Sequence, residues 1–411
     1  MKIETAVRKF DVGRKLRVGV MSDSQLSSLR FLKSDTFEKN TAAAFKTFAK
    51  LGCNMILFAG DICNSAGASG YKKFRSCIFA AYGDNPPLIQ CIMGNHDYYL
   101  RPFARRLFER MLGQSPFTHY EVNGFHFIGA SPDSGSMRNG YRHTAEWLDG
   151  ELKKACASAS ARPVFVMTHN AAENTVYGSE DWGDVNLGKT LSKWPCVINF
   201  SGHTHYSLLD ERSVYAGDYI ALNTQSVSYI ELEKGKQNGS VPPLAYTAPM
   251  GYVLDFDDGT IAVKRINLLD GAELMPDRRI NIKYGAGGIK LMRPEPYLPP
   301  ETAPVEGKYF TEGSRVFLTF SAPCEGAFVH SYKAVFSDGT EQRYFSSFYL
   351  GKGAERQTVL PVYGKKAGTY DVRIYPTDSQ GRQSAECVTV KDVTVPRRIK
   401  YRRILAPEIK Y

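Results

Sequence analysis

Leu88-Ile89-Gln90-Cys91-Ile92-Met93 is an apolar run that stops at Gly94-Asn95-His96-Asp97, a glycine followed by three polar residues. A short apolar run that ends at a turn signal is typical of a strand buried in a sheet. The three polar side chains then follow the carboxyl end of that strand. Open α/β sheets place their binding sites at this edge, so the stretch predicts both a fold class and the position of a site.

The same arrangement of an apolar run and ligand-type side chains occurs at four other points in the chain. The other four are Asp23-Ser24-Gln25 after residues 18–21, Gly60-Asp61 after residues 56–59, Thr168-His169 after residues 165–167, and Gly202-His203-Thr204-His205 after residues 197–200. One such polar group is usually a hydrogen-bonded group of the core. Five in series, at the same structural position, instead predict a shared site.

In this order, the five motifs resemble those of the calcineurin-like metallophosphoesterase superfamily, over about residues 16–265. The combination of Gly94–Asp97 with Gly202–His205 carries most of the resemblance. The resemblance implies an α/β fold, a four-layer α/β/β/α sandwich with a site for two metal ions at one edge of the central sheets. It also implies which residues hold the ions. One ion is expected on Asp23, Gln25, Asp61 and His205, and the other on Asp61, Asn95, His169 and His203.

The chemistry of these donors agrees with the implied assignment. A carboxylate that bridges, as Asp61 is expected to do, allows two divalent ions at about 3.5–4 Å, the spacing used to clamp a phosphoryl group. Imidazole, amide and carboxylate donors suit Mn²⁺, Fe, Zn²⁺ or Mg²⁺. Gln25 stands where the family usually has histidine. Its amide oxygen is a weaker donor than imidazole, so we expect a looser ion there and a bias toward Mn²⁺ or Mg²⁺. A hydrogen bond to a neighbouring ligand is the alternative role for Gln25.

The implied activity is metal-dependent hydrolysis of phosphomonoesters or phosphodiesters. In the mechanism that we expect, a hydroxide between the two ions attacks phosphorus and His96 acts as the general acid, with Asp97 orienting the imidazole. Two alternatives stay open. One is a nuclease that holds nucleic acid through basic chain ends, and the other is a non-catalytic metal-binding scaffold of the same fold. The presence of His96 favours the enzyme over the scaffold.

The charge of the chain is concentrated at its two ends. The 411 residues carry a net charge of +10, of which residues 1–17 contribute +4 and residues 397–411 contribute +5. The rest of the chain is therefore close to neutral, and a basic surface on the folded part is not required. Nucleic acid is accordingly a weakly supported partner beside the expected phosphoester substrate. Nothing in the sequence predicts an oligomeric state.

Apolar residues make up 43% of the chain and charged residues 23%, which excludes global disorder and disulfide-packed miniproteins. No stretch approaches the 18–20 apolar residues, roughly, that span a bilayer, and the first ten residues contain no apolar signal region. The eight cysteines are scattered without a C-x-x-C pair. We therefore expect reduced thiols, a cytoplasmic protein and no membrane partner.

Composition and turn signals divide the chain into five segments. They are an N-terminal extension (1–15), the metallophosphoesterase domain (16–290), a proline-rich linker (291–302), a fibronectin-III-like or immunoglobulin-like β-sandwich (303–396) and a basic C-terminal tail (397–411). In the first large domain, strands are expected at 16–21, 54–59, 88–93, 125–130, 163–168 and 196–200. In the sandwich they are expected at 315–320, 332–336, 343–349 and 370–375.

Overall fold

The computed structural model describes residues 3, 5–13, 15–27, 34–158, 161–321, 328–351 and 357–397. The chain divides into two compact units. The first contains Met1–Lys234, Gly239–Pro296 and Tyr349–Gly351, and the second contains Gly235–Asn238, Tyr297–Phe348 and Lys352–Tyr411. Of the basic C-terminal tail expected at residues 397–411, only Arg397 falls within the described residues.

The first unit contains two large β-sheets. The strands of the seven-stranded sheet are β1 (Val7–Phe10), β5 (Phe117–Val122), β6 (Phe125–Ala130), β7 (Val164–Thr168), β8 (Val197–Ser201), β9 (Val214–Ala216) and β10 (Ile220–Asn223). They are ordered β1-β5-β6-β7-β8-β10-β9. In the middle of this sheet β6, β7 and β8 are parallel, so their carboxyl ends share one edge.

The second sheet of this unit has eight strands. They are β2 (Arg17–Met21), β3 (Met55–Phe58), β4 (Leu88–Cys91), β11 (Met250–Asp257), β12 (Thr260–Asn267), β13 (Glu273–Leu274), β14 (Ile280–Gly285) and β15 (Gly288–Met292). Their order is β15-β14-β12-β11-β2-β3-β4, with β13 paired to β12. Strands β2, β3 and β4 are parallel, whereas β11 runs antiparallel to β2.

Helices cover the outer face of each sheet. The α-helices of the described residues are α1 (Ser34–Lys50), α2 (Ala68–Tyr82), α3 (Ala104–Leu112), α4 (Thr144–Ser158), α5 (Ser179–Trp182) and α6 (Leu187–Leu191). Buried side chains of α1, α2 and α3 share a core with β3 and β4 of the eight-stranded sheet, and those of α4 and α6 share another with β6, β7 and β8. The apolar stripes of these five helices are buried in this way, which stabilises them more than their intrinsic propensity does.

The inner faces of the two sheets pack through aromatic rings. The ring of Phe256 in β11 lies 4.8 Å from that of Phe125 in β6 and 5.4 Å from that of Phe165 in β7, centroid to centroid. Rings at these spacings bury a large apolar area between the sheets. The layers are therefore helix, sheet, sheet and helix, and the predicted α/β/β/α sandwich is confirmed.

All six strands expected in this unit are present, with ends that differ by at most two residues. The N-terminal segment differs from the expectation, because the predicted extension at residues 1–15 contains β1. That strand pairs in parallel with β5, with Val7 opposite His119. Its side chains are mostly exposed, as expected of an edge strand. Likewise, the first two residues of the predicted linker, Leu291 and Met292, belong to β15.

The second unit is formed by strands in the described part of the chain. They are β16 (Val305–Glu306), β17 (Lys308–Glu312), β18 (Arg315–Phe320), β19 (Ser331–Phe336), β20 (Glu341–Phe345), β21 (Thr358–Pro361), β22 (Gly368–Thr377) and β23 (Val388–Val395). A five-stranded sheet has the order β16-β23-β22-β19-β20, and a three-stranded sheet has the order β17-β18-β21. Leu318 of the smaller sheet and Ala334 and Ile374 of the larger belong to one buried cluster.

The expectation that all cysteines are reduced is wrong for one pair. Cys156 in the last turn of α4 and Cys196, just before β8, form a disulfide. Because α4 runs antiparallel to the strands that it covers, its C-terminal end lies where β8 begins. The two cysteines are 40 residues apart in sequence, so the sequence alone does not indicate that they are neighbours. The predicted cytoplasmic location rested on reduced thiols, and disulfides are rare in that compartment, so this pair does not support it. Among the described residues, no helix is long and apolar enough to cross a membrane.

A hydrogen-bonded chain of polar side chains runs from helix α4 to the seven-stranded sheet. The Nδ1 atom of His119 is 2.8 Å from Oε2 of Glu151, and its Nε2 atom is 2.9 Å from Nδ1 of His126. Burial lowers the pKa of both imidazoles, and the repulsion between them adds to the effect at His126. Glu151 opposes the shift at His119, while Glu121 and Lys9 act in opposite directions on His126.

These lowered pKa values predict that the fold loses stability in acid. The unfolded chain takes up protons as the pH falls through about 6.5, while the folded imidazoles resist protonation, so stability present above that pH declines below it. Between pH 7.5 and 5.5, the thermal midpoint of wild type should fall by about 2–4 °C more than that of His126→Asn. His143→Asn, at an exposed histidine, is the control and should keep the wild-type slope. Equal slopes for all three proteins would contradict the prediction.

Candidate metal centre

The side chains expected to bind metal follow the carboxyl ends of five parallel strands. Asp23 and Gln25 follow β2, Asp61 follows β3, and Asn95 follows β4 in the eight-stranded sheet. His169 follows β7, and His203 and His205 follow β8 in the other sheet. The two edges meet, since Nδ1 of His169 is 2.9 Å from the carbonyl oxygen of Ala59. Residues up to 182 positions apart in sequence are therefore neighbours here.

Asp61 is at the centre of one group of contacts. Its Oδ2 atom lies 3.3 Å from Nε2 of His169, and its Oδ1 atom accepts the backbone N–H of His96 at 2.9 Å. The same Nε2 atom of His169 is 3.0 Å from Oδ1 of Asn95. Carboxylate, imidazole and amide donors thus face one another at buried positions.

Asp23 is at the centre of a second group. Its Oδ1 atom is 3.1 Å from Nε2 of His205, and its Oδ2 atom is 3.2 Å from the backbone nitrogen of His203. Gln25 lies between the two groups. Its Nε2 atom is 3.3 Å from Nε2 of His205 and 3.5 Å from Oδ2 of Asp61. All seven expected ligands are therefore brought together, and Gln25 is among them.

Two glycines allow the strand ends to approach so closely. A Cβ atom at Gly94 would lie 2.1 Å from Oδ1 of Asp61, and one at Gly202 would lie 2.2 Å from Oδ2 of Asp23. Both distances are far inside van der Waals contact. The glycines of the Gly-Asn-His-Asp and Gly-His-Thr-His motifs are therefore required by the packing against the two carboxylates.

The backbone of the site is unusual as well. Five of the seven residues have a left-handed conformation, and these are Asp23 (φ 58°), Gln25 (φ 45°), Asp61 (φ 53°), His203 (φ 70°) and His205 (φ 59°). Left-handed backbone is uncommon outside glycine and costs free energy. Such residues cluster at functional sites, where the surrounding structure holds side chains in a required direction. Here the left-handed backbone directs side chains from separate loops toward the same point.

The charges of the site are balanced by imidazoles. Burial opposes ionisation of Asp61, but His169, His96 and His203 outweigh it and hold its pKa below the usual value. Burial also acts against the charge of His169, yet the Asp61 carboxylate raises the pKa of His169 to about 9. At His203, burial and the neighbouring His169 lower the pKa to about 3. Divalent cations that bind at this site would displace the proton that His169 holds.

The residues present fit divalent cations. One ligand atom each from Asp23, Asp61 and His169 lies within 4.8 Å of the other two. Within the described part of the chain, the buried Nε2 atom of His203 and Nδ1 atom of His205 have no hydrogen-bond partner. A buried polar atom without a partner costs about 1–3 kcal/mol, which a metal bond to nitrogen would remove. Mixed nitrogen and oxygen donors are suited to the divalent ions of the first transition row and to Mg²⁺.

We expected Asp97 to orient the imidazole of His96. This expectation is wrong, because the Asp97 carboxylate bonds to other groups. The Asp97 carboxylate accepts the backbone N–H groups of Ile62, Cys63 and Gly94 at 2.9–3.1 Å and the hydroxyl of Tyr71 at 3.1 Å. Adjacent residues in the short 3-10 helix His96–Tyr98 point in different directions, so the Asp97 side chain turns into the core. Burial and the charge of Asp61 raise the pKa of Asp97 to about 6. Asp97 therefore holds the loops after β3 and β4 together.

His96 is instead oriented by the backbone. Its Nδ1 atom lies 2.8 Å from the carbonyl oxygen of Asn64, and because a carbonyl only accepts, Nδ1 carries the proton of this bond. The Nε2 atom is left as the one that can exchange a proton. The ring is half-buried and packs against the ring of Tyr99, with 4.7 Å between the centroids.

Three aromatic residues beside the histidines were not predicted as site residues. Tyr99 lies against His96, Tyr229 lies 4.3 Å from His205 and Trp182 lies 6.3 Å from His203, measured between ring centroids. Tyr99 also accepts a hydrogen bond from Nδ2 of Asn95 at 2.7 Å. For Tyr99, the signal available in the sequence was its place two residues after the Gly-Asn-His-Asp motif. Trp182 is the last residue of the short helix α5 and Tyr229 lies in a loop, and no sequence pattern indicates the path of either segment.

Comparisons with known proteins found one family match and a number of similar solved structures. Residues 16–207 match the family described as "Calcineurin-like phosphoesterase". Among solved structures, the chain is similar to a dimetal phosphatase from Danio rerio (10% identity, TM-score 0.45, covering 63% of this chain and 98% of that one). It is also similar to the purple acid phosphatase PPD1 from yellow lupin, Lupinus luteus (13% identity, TM-score 0.45, covering 67% of this chain and 55% of that one). No curated protein sequence matches the chain. The family match covers a little under half of the chain, and all seven expected metal ligands lie within it.

Proposed function

We propose that this chain is a phosphoester hydrolase that works with two divalent cations. The observation that carries the proposal is the convergence of Asp23, Asp61 and His169 from three separate strand ends into one buried cluster. Asp61, with contacts toward both groups of ligands, is the residue that we assign to both ions. One ion is assigned to Asp23, Gln25, Asp61 and His205, and the other to Asp61, Asn95, His169 and His203.

The proposed ions account for an anionic substrate without a basic surface patch. Two divalent cations outweigh the charges of the two carboxylates, so the loaded site keeps a positive surplus at its centre. When bound, the cations supply charge neutralisation for the phosphate oxygens and lower the pKa of a water nucleophile. The oxygen donors of Asp23, Gln25, Asp61 and Asn95 favour Mn²⁺ as the ion most suited to the site.

His96 is the residue that we assign to proton transfer. The Asn64 carbonyl holds the Nδ1–H group, so the ring keeps one orientation while Nε2 changes its protonation state. The Asp61 carboxylate, which accepts the backbone N–H of His96, fixes the position of the residue relative to the cluster. A protonated Nε2 can then give its proton to the leaving alkoxide, which is the function of a general acid. Asp97 supports this arrangement through the backbone and does not touch the imidazole.

Removal of the proton donor should slow turnover and leave the metals in place. We expect His96→Gln to lower kcat on p-nitrophenyl phosphate and its bis ester by about 10²–10⁴-fold, the usual contribution of a general acid. Bound Mn²⁺, measured by elemental analysis after desalting, should stay at the wild-type level. His143→Gln, at an exposed position, is the matched control. Full activity of His96→Gln would remove His96 from the mechanism.

Asp61→Asn, unlike His96→Gln, should lose bound metal. The amide has no negative charge and cannot bind two cations as a bridge, so the bound metal should fall from two ions per chain to one or fewer. Asp218→Asn, at an exposed aspartate, should keep the full metal content. Retention of two ions by Asp61→Asn would contradict the bridging assignment. If wild type holds its metals but hydrolyses neither ester, the non-catalytic scaffold replaces the enzyme.

A third variant tests the assignment of Gln25 as a ligand. We expect Gln25→His to increase the affinity for Zn²⁺ relative to Mn²⁺, because imidazole replaces an amide oxygen at unchanged charge. Competition between the two ions, followed by calorimetry on metal-free protein, measures this ratio. An unchanged ratio would show that Gln25 acts only through its hydrogen bonds to His205 and Asp61.

A further inference from the structure

The loop that follows the Gly-Asn-His-Asp motif carries two apolar side chains far into solvent. Leu100 is 88% exposed and Phe103 is 72% exposed. Within the described part of the chain, no large apolar side chain is more exposed than Leu100. Single exposed apolar residues are common on soluble proteins. Two of this size within four residues of sequence, directly beside a candidate site, need an explanation.

The backbone of this loop is strained at the same two residues. Leu100 has a φ of 64° and Phe103 a φ of 66°, in the left-handed region that disfavours bulky side chains. The loop is nevertheless tied at its base. The backbone N–H of Ala66 donates to the carbonyl of Tyr99 at 3.1 Å, and Nε of Arg101 donates to the carbonyl of Ala66 at 3.3 Å. Helix α3 begins at Ala104, immediately after the loop. The contacts at the base of the loop and the start of α3 hold this strained backbone in place, with the two apolar side chains pointing into solvent.

Cationic side chains occur close to this pair in sequence. Arg101 is in the loop itself, and Arg106 and Arg110 are exposed residues one helical turn apart on α3. The guanidinium of Arg106 lies 5.4 Å from the ring centre of Phe103. Glu109 is the one exposed acidic residue between positions 100 and 112. We call the surface formed by Leu100, Arg101, Phe103, Arg106 and Arg110 the Leu100–Arg110 surface.

We propose that the Leu100–Arg110 surface binds the surface of an anionic lipid bilayer, with Leu100 and Phe103 inserted among the acyl chains. Charge complementarity favours this occupant, because arginines attract acidic headgroups while the apolar pair contributes by leaving water. A nucleic acid would use the arginines but would leave Leu100 in solvent. Peripheral binding of this kind needs no helix that crosses the bilayer, and the proposal changes the expectation of no membrane partner.

The position of the surface links it to the candidate metal centre. Tyr99, which precedes Leu100, contacts both Asn95 and the ring of His96. A bilayer bound at Leu100 and Phe103 would therefore lie close to the half-buried ring of His96, and phosphoesters carried by lipids would be the nearest substrates. This last consequence rests on the proposed function, whereas the binding to lipid does not.

Sedimentation of the full chain with vesicles tests the binding directly. We expect wild type to sediment with vesicles of phosphatidylcholine that contain about 30% phosphatidylserine, and only weakly with phosphatidylcholine alone. The double variant Leu100→Ser/Phe103→Ser should bind the anionic vesicles at least about tenfold more weakly, since the inserted apolar groups are lost. The matched control, Leu269→Ser/Leu298→Ser, alters two exposed leucines elsewhere and should bind like wild type.

Two further measurements separate the possible outcomes. Circular dichroism melting curves must show that each variant is folded, and Arg106→Gln/Arg110→Gln should also bind the anionic vesicles more weakly. If wild type does not sediment with anionic vesicles, the proposal is overturned. If the arginine variant loses binding but Leu100→Ser/Phe103→Ser does not, the surface attracts polyanions in general and no insertion occurs. The assay needs no turnover, so neither result depends on whether the chain hydrolyses phosphoesters.

Discussion

Asp23 and Asp61 are negative charges that are almost completely removed from water. Burial of an unpaired carboxylate costs several kcal/mol, so the structure around these two groups must supply positive charge and hydrogen-bond donors. His169 and His205 provide the positive charge, and the backbone N–H groups of His96 and His203 provide the hydrogen-bond donors. The two sheets are brought together at this edge by contacts to the same carboxylates. The glycines at positions 94 and 202 follow from this requirement, since any side chain there would occupy the place of a carboxylate oxygen.

The part of the site that follows strands could be predicted from the sequence. An apolar run that stops at Asp61 or Asn95 defines where a strand ends, and parallel strands place their carboxyl ends at one edge whatever the loops between them do. That rule needs no knowledge of distant contacts. It brought Asp23 and His205 into one predicted set although they are 182 positions apart. The layered α/β fold was predictable for the same reason, because its strands are short apolar runs between amphipathic helices.

Features that depend on the path of loops could not be predicted. Asp97 is next to His96 in sequence, but its side chain turns toward the N–H groups of another loop, which only the local helical turn determines. Trp182 and Tyr229 reach the histidines from segments with no strand pattern. The strand β1 was hidden because its residues are exposed and carry no apolar alternation, while its pairing partner β5 lies more than a hundred residues away. For the two aromatic residues and for β1, the deciding contact joins segments that are separated in the chain.

The bond between Cys156 and Cys196 closes a covalent ring around the segment that contains His169. One peptide bond hydrolysed by a protease inside this ring leaves two fragments that stay joined through sulfur. Under oxidising conditions such a nicked molecule keeps the strand that precedes His169 tethered to the strand that precedes His203, and the two pieces separate on a denaturing gel only after a reductant is added. The same ring makes β8, and with it the last two histidines of the cluster, part of one cross-linked body with α4.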